Sequence, residues 1–341
     1  MIALAAAALL ALALPPAAFA WGDRAHVFIT DEAVERLPDP LRGLFSSEAD
    51  LKRLREATLA PDTRRKKDTQ PEWEEEHPKH FFDIDLVTQE PYPFKNFPHE
   101  RLAAEKQFGP EVFKKAGTAP WAAADALDAL VESLTAGRTD DIFTHAGDLA
   151  HYGADLHQPF HVSKNYDGKM TGNDGIHKSL EIGLVNRYVD FYKAEVRKDR
   201  YEPAYLAKPL DGLFDWLATA WSRQKPILEA ETIARQKANY NPSKTLADLD
   251  NLDSPEAKTY YTTFKQELEA RGSPEAAAMR DAAGHVAELF YTAWVRAGKP
   301  LALTPAPEKA PEAQPVPYWL IALGAALLLL LFWPRRRPAS M

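Results

Sequence analysis

The chain has no cysteine among its 341 residues, and only 4 methionines. The absence of thiols excludes disulfide bonds and thiolate metal ligands. A chain of this length forms one large domain or two of ordinary size. Its fold must therefore be held by a buried core. Bound metal would be a natural supplement, with ligands drawn from imidazole, carboxylate and backbone groups.

Basic charge is also scarce, with 41 Lys and Arg against 49 Asp and Glu and a formal net charge of −8. Residues 301–341 carry four positive and two negative charges, a net +2, so residues 1–300 must carry −10 to give that total. A domain this acidic does not wrap duplex DNA through a basic surface. If it binds phosphate groups, the positive charge must be local.

Patterns typical of β-strands are few, and "HFFDIDLV" at residues 80–87 is the best candidate for an extended segment. Apolar residues at helical spacing dominate instead. The predicted helices cover approximately residues 27–37, 48–58, 120–136, 139–157, 176–198, 210–236, 255–271 and 274–297. The sequence therefore predicts an all-α domain, in which long loops at 91–98 and 163–175 flank a site.

The N-terminal segment, residues 1–20, is almost wholly Ala, Leu, Ile and Pro and ends in Ala18-Phe19-Ala20. This pattern is typical of a secretory signal, which is cleaved after a small-x-small sequence. We therefore expect an exported protein, periplasmic or on the extracellular face, whose mature chain begins at Trp21. The folded, site-bearing domain is predicted to be residues 21–300.

The C-terminal segment has three predicted parts. Residues 301–317 are rich in Pro and Ala and are typical of an extended linker. Residues 318–333 form an apolar run with aromatic residues at both ends, followed by a basic tail at 334–341. The run is just short of a typical bilayer core, and the tail favours a cytoplasmic C-terminus. A transmembrane anchor and a sorting helix that is later clipped are both consistent with this pattern.

Histidine and carboxylate pairs provide the main chemical signal. In "HYGADLHQPFH", His151 and Asp155 are four residues apart on a predicted helix, so they share one face. His161 follows just after the helix, and "HKSLE" repeats the spacing with His177 and Glu181. Helices that each present a His and a carboxylate inward form metal sites in bundles. Imidazole and carboxylate ligands without thiolate favour catalytic zinc.

These motifs make the chain similar to the zinc-dependent phospholipase C and single-strand nuclease superfamily, the S-one/P-one-type nucleases. The matching pieces are "WGDRAH", "PDTRR", "HPKHFFDID", "HYGADLHQPFH" and "HKSLE", spread in this order over residues 21–185. The resemblance implies an all-α fold, a mature N-terminal tryptophan and three zinc ions. The remaining helices fit that architecture, but they carry no matching motif.

The resemblance also implies the ligands of each zinc. The first zinc would be held by Asp62, His80, His151 and Asp155, the second by His161, His177 and Glu181, and the third by the Trp21 amine and carbonyl, His26 and a bridging Asp155. Asp62 would also orient or accept the proton of the attacking water. Asp68 competes with Asp62, because the separation of Asp62 from His80 is longer than the family leads one to expect. His157 lies on another helix face and is expected to hydrogen-bond locally.

Phosphodiester hydrolysis by a metal-activated water is the predicted reaction, and two substrates stay open. The spacing of Trp21 and His26 and the D-x-H-Q-P-x-H motif favour a nuclease acting on single-stranded DNA or RNA. Glu181, in place of Asp, and the short loop between His161 and His177 favour a phospholipase C.

Loop aromatics at Tyr92, Phe94, Phe97 and Tyr166 could stack bases, line a headgroup cleft or simply pack. A third hypothesis is a membrane-tethered binding protein with structural zinc, although ligands without Cys are typical of an open site. No protein partner is indicated.

Overall fold

The structure is a computed structural model that describes residues 21–67, 70–199, 202–242 and 253–300. These residues are mostly helical and contain no β-strand; their only β-type pairing is an isolated bridge between Phe82 and Gly117. The predicted all-α class is confirmed. The predicted signal, linker, apolar segment and basic tail lie outside the described residues.

The helices are numbered in chain order. They are α1 Asp23–Glu35, α2 Asp39–Arg42, α3 Glu48–Arg64, α4 Trp73–Glu76, α5 Ile84–Val87, α6 Arg101–Phe108, α7 Pro110–Ala116, α8 Ala119–Ala136, α9 Thr139–Asp155, α10 Ile176–Lys178, α11 Val185–Arg187, α12 Val189–Val196, α13 Pro209–Ser222, α14 Gln224–Ala238, α15 Pro255–Ala270 and α16 Pro274–Arg296. Three 3₁₀ turns cover His77–His80, Pro159–His161 and Lys169–Thr171, and a π-helix covers Ser179–Leu184. None of the described helices has the length and apolar character of a membrane span.

The expectation of an extended segment at residues 80–87 is wrong. This stretch leaves a 3₁₀ turn at His80, passes through three residues and enters α5 at Ile84. Its backbone donates to the ends of other elements: the Phe82 N–H to the His161 carbonyl, at the end of a 3₁₀ turn, at 2.8 Å, and the Asp83 N–H to the Ala116 carbonyl, at the end of α7, at 2.7 Å. Hydrophobic, β-prone residues are thus held as an irregular connection that reaches the site.

Two predicted helices are also divided. The predicted helix at 210–236 breaks at Arg223 into α13 and α14. Pro226 explains the break, because proline fits the first turn of a new helix but would interrupt a continuous one. The predicted helix at 176–198 becomes α10, the π-helix, α11 and α12. Within the π-helix, Gly183 lies so close to Tyr261 that an added Cβ would be 2.1 Å from its hydroxyl oxygen.

Buried apolar side chains form two clusters that share the long helices α1 and α9. The change from one cluster to the other falls between Ile29 and Ala33 on α1, and between Ala150 and Ala154 on α9. His151 therefore lies where the two clusters meet. The core holds polar groups there on rigid helices rather than on loops.

Helices α3 and α9 approach each other closely at Gly147, where an added Cβ would lie 2.4 Å from the Ala57 carbonyl carbon. Helix α3 continues to Arg64 although it contains Pro61, which has no N–H to donate to that carbonyl. This continuation, beyond the predicted end at 58, puts Asp62 on the last turn of α3, and the close contact brings it against α9.

A buried carboxyl group at the start of α16 gives a prediction about pH. Glu275 is fully buried, and the Tyr192 hydroxyl donates to it at 3.2 Å. Burial raises the pKa of Glu275 to about 7. Because the folded pKa lies above the unfolded one, this group's stabilisation is complete at low pH and is lost as pH rises through 7. Between pH 6 and pH 8 the free energy of unfolding should fall by about 1 kcal/mol more in the wild type than in Glu275→Gln.

Denaturant unfolding at the two pH values measures this difference. Glu256→Gln is the matched control, since Glu256 is exposed and follows a proline in the first turn of α15, as Glu275 does in α16. The control should keep the wild-type pH dependence. Proton release linked to metal binding is common to all three proteins and cancels in the comparison. An unchanged slope in Glu275→Gln would show that Glu275 does not titrate in this range.

Candidate metal centre

One carboxylate on α9 lies among four imidazoles. Asp155 Oδ2 is 3.1 Å from His80 Nδ1 and 3.3 Å from His151 Nε2. Its other oxygen, Oδ1, is 3.3 Å from His26 Nε2 and 3.4 Å from His161 Nδ1. All five side chains are buried. Residues far apart in the sequence thus converge on both oxygens of Asp155.

The backbone of α3 fixes the orientation of His151. The Nδ1 of His151 lies 2.8 Å from the Thr58 carbonyl oxygen, which can only accept a hydrogen bond. The proton of the neutral ring is therefore on Nδ1, and Nε2 keeps a lone pair that faces Asp155 and Asp62. This is the arrangement in which imidazole binds a metal ion.

His80 faces Asp155 with its Nδ1 atom, whereas His151 does so with Nε2, and a carboxylate outside the cluster lies beside the other His80 nitrogen. Glu76 Oε1 lies 3.6 Å from His80 Nε2, while His80 Nδ1 faces Asp155. Glu76 is itself held by the Tyr152 hydroxyl and by Arg64, whose Nε donates at 3.1 Å. Burial raises the pKa of Glu76, but the nearby His80, Arg64 and Tyr152 outweigh this effect, so the pKa lies well below its ordinary value.

Asp62 joins this group from the last turn of α3. Its Oδ1 is 3.8 Å from His80 Nδ1 and 3.9 Å from His151 Nε2, and Arg65 Nε lies 2.8 Å from the same oxygen. The predicted first set, completed by Asp155, is therefore brought together. The competing residue, Asp68, lies outside the described residues.

A second group forms at the start of the π-helix. His177 Nε2 is 3.0 Å from both Glu181 Oε2 and His161 Nε2. Gln158 donates to Glu181 Oε2 at 3.1 Å and accepts from the Phe160 N–H at 2.6 Å. The predicted second set is thus assembled, and the glutamine of "HQP" holds its carboxylate in place.

The start of the described chain lies between these two groups. Trp21 is fully buried, and its indole Nε1 donates to the Ala154 carbonyl at 3.0 Å, one residue before Asp155. A Cβ added at Gly22 would lie 3.2 Å from the Glu181 carbonyl oxygen. Trp21 and His26 are therefore held beside both α9 and the π-helix.

Trp21 has a φ of 26°, which a non-glycine residue rarely adopts when a peptide precedes it. Cleavage before Trp21 would remove the preceding peptide and this constraint with it.

Several polar atoms in the centre are buried without a hydrogen-bond partner: His26 Nδ1 and Nε2, Asp155 Oδ1 and His161 Nδ1. Such atoms cost free energy unless a partner satisfies them. Asp155 Oδ1 lies 3.3 Å from His26 Nε2 and 3.4 Å from His161 Nδ1, and a divalent cation bound among these atoms would satisfy them. The donor set of imidazoles and carboxylates fits zinc.

The ionisation of these groups follows from burial and from mutual charge. Burial raises the pKa of Asp155, but the nearby His151 and His161 outweigh it and hold the pKa well below the ordinary value. Burial lowers the pKa of His161 and of His26. Burial also lowers the pKa of His151, yet Asp155 and Asp62 raise it above the ordinary value.

Sequence reasoning missed three buried polar residues near the site. Glu76 and Gln158 hold ligand candidates, as described above. Asp83 lies three residues after His80, and burial, followed by the charge of Asp85, raises its pKa to about 8. All three occur inside or beside the quoted motifs, so their position next to ligand residues was the available signal.

His157 lies away from the ligand groups. Its Nδ1 is 2.8 Å from the Gly153 carbonyl oxygen, and its Nε2 is 2.6 Å from His285 Nδ1. The hydrogen bond is local, but its acceptor lies on α9 rather than in the loop where we expected it. The contact to His285, on α16, could not be anticipated from spacing.

No protein-family model matches the chain, and a comparison with curated proteins also finds no match. The interpretation of the centre therefore depends on its own residues.

Proposed function

We propose that the chain is a zinc-dependent phosphodiester hydrolase of the phospholipase C and nuclease type, acting as a nuclease on single-stranded DNA or RNA. The observation that supports this most is Asp155, a buried carboxylate with imidazole nitrogens around both oxygens. A core that needed only packing would not gather five imidazoles and three carboxylates at one place.

Three ions fit the residues available. Asp62, His80, His151 and Asp155 would hold the first; His161, His177 and Glu181 the second; and His26, Asp155 and the Trp21 backbone the third. When bound, zinc supplies positive charge for a phosphodiester and makes a water molecule more acidic. That local charge explains how a domain of net charge −10 could attract an anion.

The chain's own residues contribute orientation and proton handling. Asp62 is the catalytic candidate, since a carboxylate at the edge of the first group can orient an attacking water and accept its proton. Arg65 Nε lies 2.8 Å from Asp62 Oδ1 and so holds this carboxylate in place. Glu76 and Gln158 fix His80 and Glu181, so that the ligand groups need no rearrangement when substrate arrives.

Phospholipase C activity is the second candidate function. Glu181, rather than an aspartate, occupies the carboxylate position of the second group, and only a short loop separates His161 from His177. The spacing of Trp21 and His26 and the D-x-H-Q-P-x-H motif favour the nuclease. A binding protein with structural zinc would need a closed site, whereas His177 is partly exposed.

A side-by-side assay tests the function. The mature protein, loaded with zinc, is given single-stranded DNA, single-stranded RNA and phosphatidylcholine, with a chelator-treated sample as control. We expect cleavage of the nucleic acids, which chelation should abolish, and little release of phosphocholine. Release of phosphocholine alone would identify a phospholipase C. A protein that binds three zinc ions and cleaves no diester would be a binding protein.

Removal of residues 304–341 should leave zinc content and hydrolysis unchanged, because every candidate ligand lies in residues 21–300. Export and membrane attachment are part of the same proposal. Fractionation should place the intact protein with membranes, or mass spectrometry should show loss of the tail near residue 317. Full-length protein found freely soluble outside the cell would contradict both a permanent membrane anchor and a clipped sorting helix.

A further inference from the structure

The second ligand group lies on short elements that give its side chains little support of their own. His177 is on α10, which has only 3 residues, and Glu181 is on the π-helix that follows. The His177 side chain is also 21% exposed. In the first group, by contrast, His151 and Asp155 lie on a single helix of 17 residues. Contacts from other elements must therefore set the position of His177.

Asn173 begins the turn that leads into α10. Its carbonyl oxygen accepts from the Ile176 N–H at 3.0 Å. Within this turn, Gly175 has a φ of 85°, and its N–H donates to the Asp167 carbonyl at 3.1 Å. A shift of Asn173 would thus move the residue directly before His177.

The side chain of Asn173 is buried against α14. Its amide nitrogen lies 2.6 Å from Glu231 Oε2, 2.9 Å from Thr232 Oγ1 and 3.2 Å from the Leu228 carbonyl oxygen, and it can donate to each of them. The contact to Glu231 is the shortest, and a carboxylate is the strongest acceptor of the three. Glu231 is therefore the main partner that fixes Asn173.

Glu231 is fully buried and is held by donors on its other oxygen. Its Oε1 accepts from the Tyr260 hydroxyl at 2.8 Å and from Arg235 Nη2 at 2.7 Å. A buried carboxylate costs free energy unless it is paired and hydrogen-bonded. An apolar side chain would fill this position without that cost, but it could not hold Asn173.

Arg235 provides a second link from α14 to the same turn. Its Nη2 donates to the Asp174 carbonyl at 2.8 Å, in addition to its bond with Glu231. One helix thus holds two consecutive residues, Asn173 through its side chain and Asp174 through its backbone. Both lie just before His177.

We propose that Glu231 and Arg235 are positioning residues that set His177 for metal binding at the second ligand group. The proposal rests on the proposed function, because it assigns them to one of the three zinc ions of the hydrolase. His177 Nε2 is 3.0 Å from Glu181 Oε2, and a looser turn would let the imidazole leave this carboxylate. The effect should be confined to the second zinc.

The test compares the wild type with Glu231→Gln and Asn173→Ala. Asn173→Ala removes only the link to the turn and leaves Glu231 paired with Arg235 and Tyr260, so the fold should be kept. In both variants, competition with a chelator should show an affinity for one zinc ion that is lower by roughly tenfold or more. The other two ions should bind as in the wild type. In the cobalt-substituted proteins, the absorption bands of one ion should change.

Tyr192→Phe is the control for a merely structural role. It removes another buried hydrogen bond to a carboxylate, the bond from Tyr192 to Glu275. It should lower the free energy of unfolding and leave the affinity for all three zinc ions unchanged.

Hydrogen exchange of the metal-free proteins, measured by mass spectrometry, separates the proposal from the function. The amides of residues 173–181 should exchange faster in both variants than in the wild type, while those of α9 stay unchanged. If the wild type binds no zinc, the hydrolase function fails, and exchange still decides whether α14 holds the turn before His177. Unchanged exchange in residues 173–181, unchanged zinc affinity, or an equal loss of affinity for all three ions would overturn the proposal.

Discussion

Asp155→Asn is expected to abolish phosphodiester hydrolysis and to reduce bound zinc by more than one ion. Oδ1 of Asp155 faces His26 and His161, and Oδ2 faces His80 and His151. Asparagine replaces one of these oxygens with an NH₂ group, which cannot bind a cation. We expect activity to fall by more than about 100-fold, since loss of a residue that only supports a metal ligand already costs up to that much.

Metal analysis by mass spectrometry, together with the hydrolysis assay, measures both effects. His157→Gln is the control on the same segment, because His157 is equally buried but contacts Gly153 and His285 rather than the ligand groups. It should keep its full zinc content and most of its activity. Circular dichroism should show helical content like that of the wild type in both variants. An Asp155→Asn protein with a full complement of zinc would exclude the bridging role.

The sequence predicted the central part of this site because helical spacing is enough to define it. His151 and Asp155 occupy one face of α9 at the i, i+4 spacing, and Tyr152 between them turns away toward Glu76. The side chains of His177 and Glu181 also meet, with Nε2 and Oε2 3.0 Å apart, although their segment includes a π-helix. Two residues that are four apart thus stay close in space when the helix changes from α to π winding.

Other parts of the site and fold depend on contacts between residues far apart in the sequence, which no local sequence pattern reveals. The Thr58 carbonyl that orients His151 lies 93 residues away in sequence. Asp62 reaches the first group because α3 continues through Pro61, where propensity alone predicts an end. The segment at 80–87 has β-prone residues, but the described part of the chain offers it no neighbouring strand, so the ends of a 3₁₀ turn and of α7 accept its hydrogen bonds. Tertiary contacts decided each of these outcomes.

The candidate ligands lie on different kinds of element. His151 and Asp155 lie on a long helix that the close contact at Gly147 holds in place. His80 and His161 lie on 3₁₀ turns, and the Phe82 N–H links these two turns by donating to the His161 carbonyl. The rigid helix fixes the central carboxylate, and the linked turns bring imidazoles to either side of it.

Blocking the α-amine of Trp21 is also expected to have a large effect, on both zinc content and hydrolysis. A metal ligand must be a free neutral amine, which requires cleavage after Ala20 with nothing added. A free α-amine has a pKa of about 8, so metal displaces the proton at little cost near neutral pH. The structure holds Trp21 in the required region: its indole donates to the Ala154 carbonyl, and Gly22 lies against Glu181. The indole itself is packed and hydrogen-bonded, so the backbone is the part left for a metal.

The experiment compares the enzyme with its native start and with Gly-Ser placed before Trp21, both loaded with zinc. Extension converts the amine to an amide, which is a poor ligand, and leaves His26 with one fewer partner at the third ion. The extended form should therefore bind one zinc fewer and hydrolyse diesters much more slowly, while its helical circular dichroism is largely kept. Metal analysis and initial rates give both quantities. If the two forms contain equal zinc and are equally active, the amine is not a ligand, and the tryptophan that follows "AFA" serves only to pack against α9.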